Sequence, residues 1–410
     1  MTNAHDVSTR LALSIATVIV AFATFVAPAA AAPALSITDY KITSDLPAYP
    51  TVPSNGPSTL QAGANPDAGS YTKFSYTNTT EDVKTALTNF AAGLLGNPES
   101  VPKCPESALQ AGGATCPAGS AIGTSRLDAS FMGGAAGGFP GVVYNAELLG
   151  NEPGRLAAVT QVGAATLVSS IPFTITPRPG GDYGLTGTLT DISRLDAVQV
   201  FPLPAPPSNL QTYALSFIIT GSTNNYVRNP TSCELNLSTG QAVGYEDPTV
   251  VDGPAYSFVT TGCQSIPFAP KASITIGDRG STAFNKFPPF VFKLTPPPGD
   301  ADIMGNKITL PVELNTNNTA YTLCSQTQAD SDTCPAASKF GWVTAKSPFL
   351  SELVQGPVYL VQQTSSSLPG LLLDLRGRVH VKIQTKTTLI NGKRIQSLVL
   401  NAPQLPISEL

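Results

Sequence analysis

The sequence predicts an all-β protein: tandem antiparallel β-sandwich units, stapled by local disulfides and preceded by a signal peptide. Three observations carry this. Short runs alternate with period two: Val379, Val381, Ile383 and Thr385 are interleaved with His380, Lys382 and Gln384, which puts one set on each face of a sheet. Turn formers are dense, with 35 Gly and 37 Pro in 410 residues, and no strand–helix alternation of the kind that builds parallel sheets accompanies them. A cysteine loop also occurs twice on similar words. Cys104 leads to Cys116-Pro117-Ala118-Gly119-Ser120, and Cys324 leads to Cys334-Pro335-Ala336-Ala337-Ser338, the mark of an internal repeat.

Residues 1–31 read as a secretory signal. Arg10 precedes an apolar stretch from Leu11 to Val26, and Pro28 and the alanines Ala29 to Ala32 follow. Small residues suit the peptidase, and cleavage after Ala31 avoids placing Pro33 at the new terminus. The apolar stretch is also at the lower edge of a bilayer span, so an uncleaved anchor is the alternative. No Cys follows it for lipid attachment, and the mature chain has no membrane span. Residues 32–58 read as a linker, 59–265 as β-sandwich unit 1 and 266–410 as unit 2.

The two halves answer one another in order. Ser75-Tyr76 with Glu81-Asp82 is matched by Phe292-Lys293-Leu294 with Gly299-Asp300. After the cysteine loops, Gly141-Val142-Val143-Tyr144 is matched by Gly356-Pro357-Val358-Tyr359. Pro153-Gly154-Arg155-Leu156 is matched by Pro369-Gly370-Leu371-Leu372, Arg194 to Val198 by Arg394 to Leu398, and Leu203-Pro204 by Leu405-Pro406. Val83, Leu87, Phe90 and Leu94 fit a helical stripe, but the matching segment contains Pro311, so a strand with at most a short helix is expected. Leu215, Phe217 and Ile219 read as a strand, and Asn391-Gly392 reads as a hairpin turn. Pro202, Pro204, Pro206 and Pro207 mark an edge or crossover. Unit 1 continues past Leu203-Pro204 into the Leu215 strand and the Cys233–Cys263 segment, whereas the sequence stops at Leu410. Either unit 2 is truncated or it leaves a sheet edge open.

The six cysteines permit about 15 pairings. The simplest joins sequence neighbours: Cys104 with Cys116, Cys233 with Cys263, and Cys324 with Cys334. Zinc is the alternative, but its ligands usually lie roughly two to four residues apart, and one histidine, His380, follows the leader. No metal and no cofactor is expected. Charged residues are only 12%, against roughly 25% in a typical soluble protein, and net charge is −4. No basic footprint for nucleic acid exists.

Chemistry-bearing residues are sparse. His380 sits on the polar side of its strand, and no Gly-x-Ser-x-Gly elbow accompanies it, so acyl transfer has no signature. Asp300 with Asp302, and Asp330 with Asp332, are the nearest acid pairs for glycoside cleavage or loose calcium binding, but both lie in turns, where Asp bonds its own backbone. Tyr144 and Tyr359 hold equivalent places and Trp342 is the only tryptophan. These three are candidates for stacking on sugar rings, or else for packing. Gly133 to Gly138 lacks the context of a phosphate loop, and Asn78, Asn236 and Asn317 open glycosylation sequons.

Ala62-Gly63-Ala64-Asn65-Pro66-Asp67, Gly93-Leu94-Leu95-Gly96-Asn97-Pro98, Cys116-Pro117-Ala118-Gly119-Ser120-Ala121-Ile122-Gly123, Asn229-Pro230-Thr231-Ser232-Cys233 and Ile266-Pro267-Phe268-Ala269-Pro270 together resemble a group of secreted, repeat-containing actinobacterial proteins. The resemblance covers nearly all of the mature chain and implies export and tandem β modules, with no catalytic residues. The expected function is a non-enzymatic structural or interaction protein, secreted or at the cell surface, whose partner is an envelope glycan or another surface protein. A carbohydrate-binding module is the second expectation and a secreted hydrolase the third.

Overall fold

Alternation and turn density give sheets throughout. The computed structural model describes residues 33–42, 60–131, 135–162, 165–178, 182–192, 194–196, 209–277, 281–283, 286–314, 321–392, 394–399 and 402–410. The leader at 1–31, most of the linker, and Pro202, Pro204, Pro206 and Pro207 lie outside the described residues. Of the described residues, 51% lie in strands and 6% in helices. The first half carries β1 (Leu35–Ile42), β2 (Ala68–Tyr76), β3 (Val83–Asn89), β4 (Leu95–Gly96), β5 (Ala121–Phe131), β6 (Ala135–Asn145), β7 (Arg155–Val162), β8 (Ala165–Pro177), β9 (Tyr183–Leu189), β10 (Leu195–Asp196) and β11 (Asn209–Ile219). It continues with β12 (Val227–Arg228), β13 (Leu235–Gly244), β14 (Val250–Asp252) and β15 (Tyr256–Val259). The second half carries β16 (Lys271–Ile276), β17 (Phe290–Thr295), β18 (Asn306–Thr309), β19 (Lys339–Ala345), β20 (Val354–Val361), β21 (Gly370–Arg376), β22 (His380–Ile390) and β23 (Arg394–Val399).

A 13-stranded antiparallel sheet occupies the first half in the order β1-β2-β11-β5-β6-β7-β8-β9-β3-β13-β14, with β10 on β11 and β15 on β13. It rolls until β1 lies against β13, β14 and β15. The enclosed core includes Phe74, Val83, Ile122, Val143, Leu156 and Leu215. β1 corrects the expected linker: its alternation is broken by a one-residue shift between Ile37 and Asp39, which hides the period in sequence although Leu35, Ile37, Tyr40 and Ile42 are all buried. The ambiguous Val83 segment is a strand.

The second half forms a six-stranded sheet, β18-β23-β22-β21-β20-β19, and a separate hairpin, β16-β17. Its strand order matches β3-β9-β8-β7-β6-β5 place for place. Equivalent hydrogen bonds recur: Phe90 N–H donates to the Leu185 carbonyl as Leu310 N–H donates to that of Ile395, both at 2.9 Å. This topology places β23 in the position of β9, so Arg394 to Leu398 corresponds to β9 rather than to Arg194 to Val198. Asn391 and Gly392 turn the β22–β23 hairpin with φ of 51° and 65°, the left-handed pair that suits the strands' twist.

The halves pack directly on one another. Tyr183 joins the buried cluster of Val354, Leu375, Val379, Val381 and Ile383, and its hydroxyl accepts from Lys382 N–H at 2.8 Å. Arg228 pairs with Asp302 at 2.9 Å.

At the β2–β3 turn two carboxylates are buried. Glu81 accepts backbone N–H groups from Asp82, Tyr245, Glu246 and Asp247. Asp82 Oδ1 accepts from Val83 N–H at 2.8 Å and Thr212 N–H at 3.0 Å, with the Tyr76 hydroxyl 3.1 Å away. Its Oδ2 is buried with no hydrogen-bond partner.

Candidate functional site

Three disulfides join Cys104 to Cys116, Cys233 to Cys263, and Cys324 to Cys334. In the first and third, a one-turn helix fills the loop, Glu106–Gln110 and Gln326–Asp330 respectively. The cysteine ahead of each helix bridges to the end of a strand, Cys104 to Ala146 and Cys324 to Val361. Tyr144 packs on the cluster of Cys104, Ala108 and Leu109, and Tyr359 on that of Cys324, Ala329 and Leu372. Both tyrosines are half-buried in equivalent clusters, so the structure gives them one packing role used twice. Trp342 differs, being 56% exposed with Lys339 Nζ 4.7 Å from its ring centroid.

The acids separate into two kinds. Asp300 and Asp302 are structural ties: Asp300 Oδ2 accepts from Ala269 N–H at 2.7 Å, and Asp302 faces Arg228 and Thr231. Asp332, in contrast, meets Asp374 and His380, which sequence distance had concealed, because the third cysteine loop folds over β21 and β22. Their ligand atoms lie within 4.8 Å of one another. Asp374 contacts His380 Nε2 at 2.7 Å and Arg376 at 2.9 Å, and Asp332 contacts Lys382 at 2.5 Å. Burial pushes the Asp332 carboxyl up, but Lys382, His380 and Arg376 outweigh it and hold it below the usual carboxylate range. Two cations already neutralise two carboxylates, so a divalent ion would have to be held beside Arg376 and Lys382. The cluster reads as an ion-pair network that pins the loop.

Two apolar cavities stand out among the described residues. One, of about 100 Å³, lies between the halves and is lined by Phe173, Tyr226, Leu350, Leu375 and Leu405 among others. The second, of about 110 Å³, lies inside the rolled sheet near Phe90, Leu156 and Phe217. Each can hold only a small group, well short of the roughly 300 Å³ at which ligand pockets begin.

The least satisfied surface is on the second half. In the first half, β11 lies between β2 and β5, hydrogen-bonded to both. Their counterparts by position, β17 and β19, lie in different sheets. Register identifies equivalent residues: Lys339 opposes Tyr359 as Ala121 opposes Tyr144, and a one-residue shift follows each, before Gly341 and Gly123. Phe340 thus takes the place of Ile122. Ile122 is 1% exposed and Phe340 42%. Phe287, Phe290 and Val291 are likewise exposed at β17, and β16 is exposed along nearly its whole length.

Among the described residues no helix is long and apolar enough to cross a membrane. Comparisons with family models, with curated proteins and with solved structures yield no match.

Proposed function

We propose that the chain is an exported, non-enzymatic interaction protein of the cell surface or surroundings, built from two copies of one disulfide-stapled β module. The observation that carries this is the set of exposed apolar side chains at β17 and β19, Phe287, Phe290, Val291, Phe340 and Trp342, because exposed apolar surface in quantity marks an interaction site. Export is supported by the apolar leader, by three disulfides, which persist in oxidising compartments, and by the resemblance to secreted repeat-containing proteins. The matching strand orders support the repeat.

Fractionation of a producing culture tests the reading. The protein is expected in the medium or envelope, cleaved after Ala31 and with its three disulfides formed. Recovery from the cytosol with residues 1–31 attached would overturn it. One feature favours carbohydrate binding as the second reading, the exposed Trp342 ring. A glycan array with the purified chain and its Trp342→Ala variant separates the two: saturable binding that the variant loses selects the carbohydrate reading.

A further inference from the structure

Side chains of four neighbouring strands share one face of the second half's sheet, the face on which the third cysteine loop sits. Gln355 of β20 opposes Arg376 of β21, and Arg376 opposes His380 of β22, so the three stand in a line across the strands. Trp342 and Thr344 share a face of β19, and Thr344 opposes Gln355, which places the indole at the end of that line. From Trp342 to His380 is three strand spacings, roughly 14 Å, the span of a short oligosaccharide.

The polar groups on this line are held at one end and free at the other. Asp374, 4% exposed, accepts from Arg376 Nε at 3.0 Å and Nη2 at 2.9 Å and meets His380 Nε2 at 2.7 Å. A carboxylate only accepts, so Nε2 carries its proton toward Asp374 and Nδ1 of the neutral ring is left as an acceptor. Among the described residues, Arg376 Nη1, His380 Nδ1, the Gln355 amide and Trp342 Nε1 have no hydrogen-bond partner. Asp374 thus acts as a positioning residue that aims Arg376 and His380 outward.

The first half supplies the comparison. By register, Val159, Gln161, Thr166 and Val168 stand where Asp374, Arg376, His380 and Lys382 stand in the second half. Val159 and Val168 belong to the apolar cluster that seats the first cysteine loop, so the module folds without these charges. A strand alongside does not cover this face either: Thr124, in the place of Trp342, keeps partial exposure with β11 beside it.

Resting on the carbohydrate reading of Trp342, we infer that this face binds an acidic oligosaccharide, a chain of uronate residues. One pyranose ring lies on the indole, whose apolar body takes the ring's C–H face. Two strands away Arg376 Nη1 meets a carboxylate through a charge-assisted hydrogen bond, and beside it His380 Nδ1 accepts from a sugar hydroxyl. Gln355, between them, both donates and accepts. A flat apolar ring, hydroxyl donors and an anion within one chain are the chemistry of a uronate polymer, whereas a neutral glycan would leave Arg376 Nη1 without a charged partner.

The test is titration calorimetry of the purified full chain with oligomers of galacturonate, glucuronate and mannuronate, each also as its methyl ester. Saturable binding of at least one acid form is expected, weakened by about tenfold or more on esterification, the equivalent of one charged hydrogen bond. Trp342→Ala and Arg376→Gln should each weaken it by a similar factor, and Gln161→Ala, at the first half's counterpart of Arg376, should leave it unchanged. Gln355→Ala should weaken it several-fold, and because that side chain bonds to nothing in the free protein, the variant keeps the test open should Arg376→Gln fold poorly. Equal binding of acid and ester, lost in Trp342→Ala, would overturn the acidic ligand and leave the carbohydrate reading standing. Binding that Trp342→Ala and Gln355→Ala leave unchanged would overturn the site, and no saturable binding of any oligomer or of any glycan on the array would overturn both.

Discussion

Asp82 makes the folded protein sensitive to mild acid in an unusual direction. The side chain is buried at the β2–β3 turn, and burial pushes its pKa from 3.8 to about 6 against the opposing pull of the Thr212 and Val83 amides. Because the folded value is raised, the native state binds more protons than the unfolded one between these values. Its contribution is therefore full below the unfolded pKa and is lost as pH rises through about 6. A shift of about two units corresponds to roughly 3 kcal/mol. The proton has a place to sit, since Oδ2 is the oxygen without a partner. Other carboxyls act oppositely: Glu152 and Asp332 are held low and lose stability on acidification, so the informative quantity is the difference from Asp82→Asn. Urea unfolding followed by far-ultraviolet circular dichroism at several values between pH 4 and 7 supplies it. Relative to Asp82→Asn, the natural chain should gain roughly 2 kcal/mol on going from the neutral to the acid end. Parallel profiles, agreeing within about 0.5 kcal/mol, would refute the buried-carboxyl argument.

Three further outcomes are expected. Replacing Cys104 and Cys116 together by Ala should cost about 3 kcal/mol in urea unfolding, and the pair Cys233 and Cys263 somewhat more because its loop is longer. Phe74→Ala, at a fully buried position, should cost about 3–5 kcal/mol, whereas Phe287→Ala, at a residue 80% exposed, should change stability by less than about 0.5 kcal/mol. Gly123→Val should destabilise by about 3 kcal/mol or more by driving β11 away, whereas Gly341→Val should be nearly silent. Equal costs at the two glycines would mean that β19 already has a neighbour.

Much of the fold was legible where a single strand states its own period. The alternation along β22 reads directly onto its buried and exposed faces, and the Asn391-Gly392 turn needs only local chemistry. Local cysteine pairing was legible for the same reason, the partners being neighbours in sequence. β1 was not, because one bulged residue puts Tyr40 and Ile42 out of phase with Leu35 and Ile37. The correspondence of Arg394 with Arg194 was misleading, because the first half carries additional chain between β9 and β11 that similar words bridged. The cluster of Asp332, Asp374 and His380 was illegible in principle, since it depends on a cysteine loop folding across two strands. Exposure of Phe340 was illegible too: its sequence context resembles that of Ile122, which is covered because β11 lies beside β5.

Non-reducing peptide mapping of the chain recovered separately from the culture medium and the cell envelope tests the exported, disulfide-stapled account most directly. The account predicts bridges joining Cys104 to Cys116, Cys233 to Cys263 and Cys324 to Cys334 in an exported chain cleaved after Ala31. Free thiols in the exported fraction, or recovery from the cytosol with residues 1–31 attached, would contradict it.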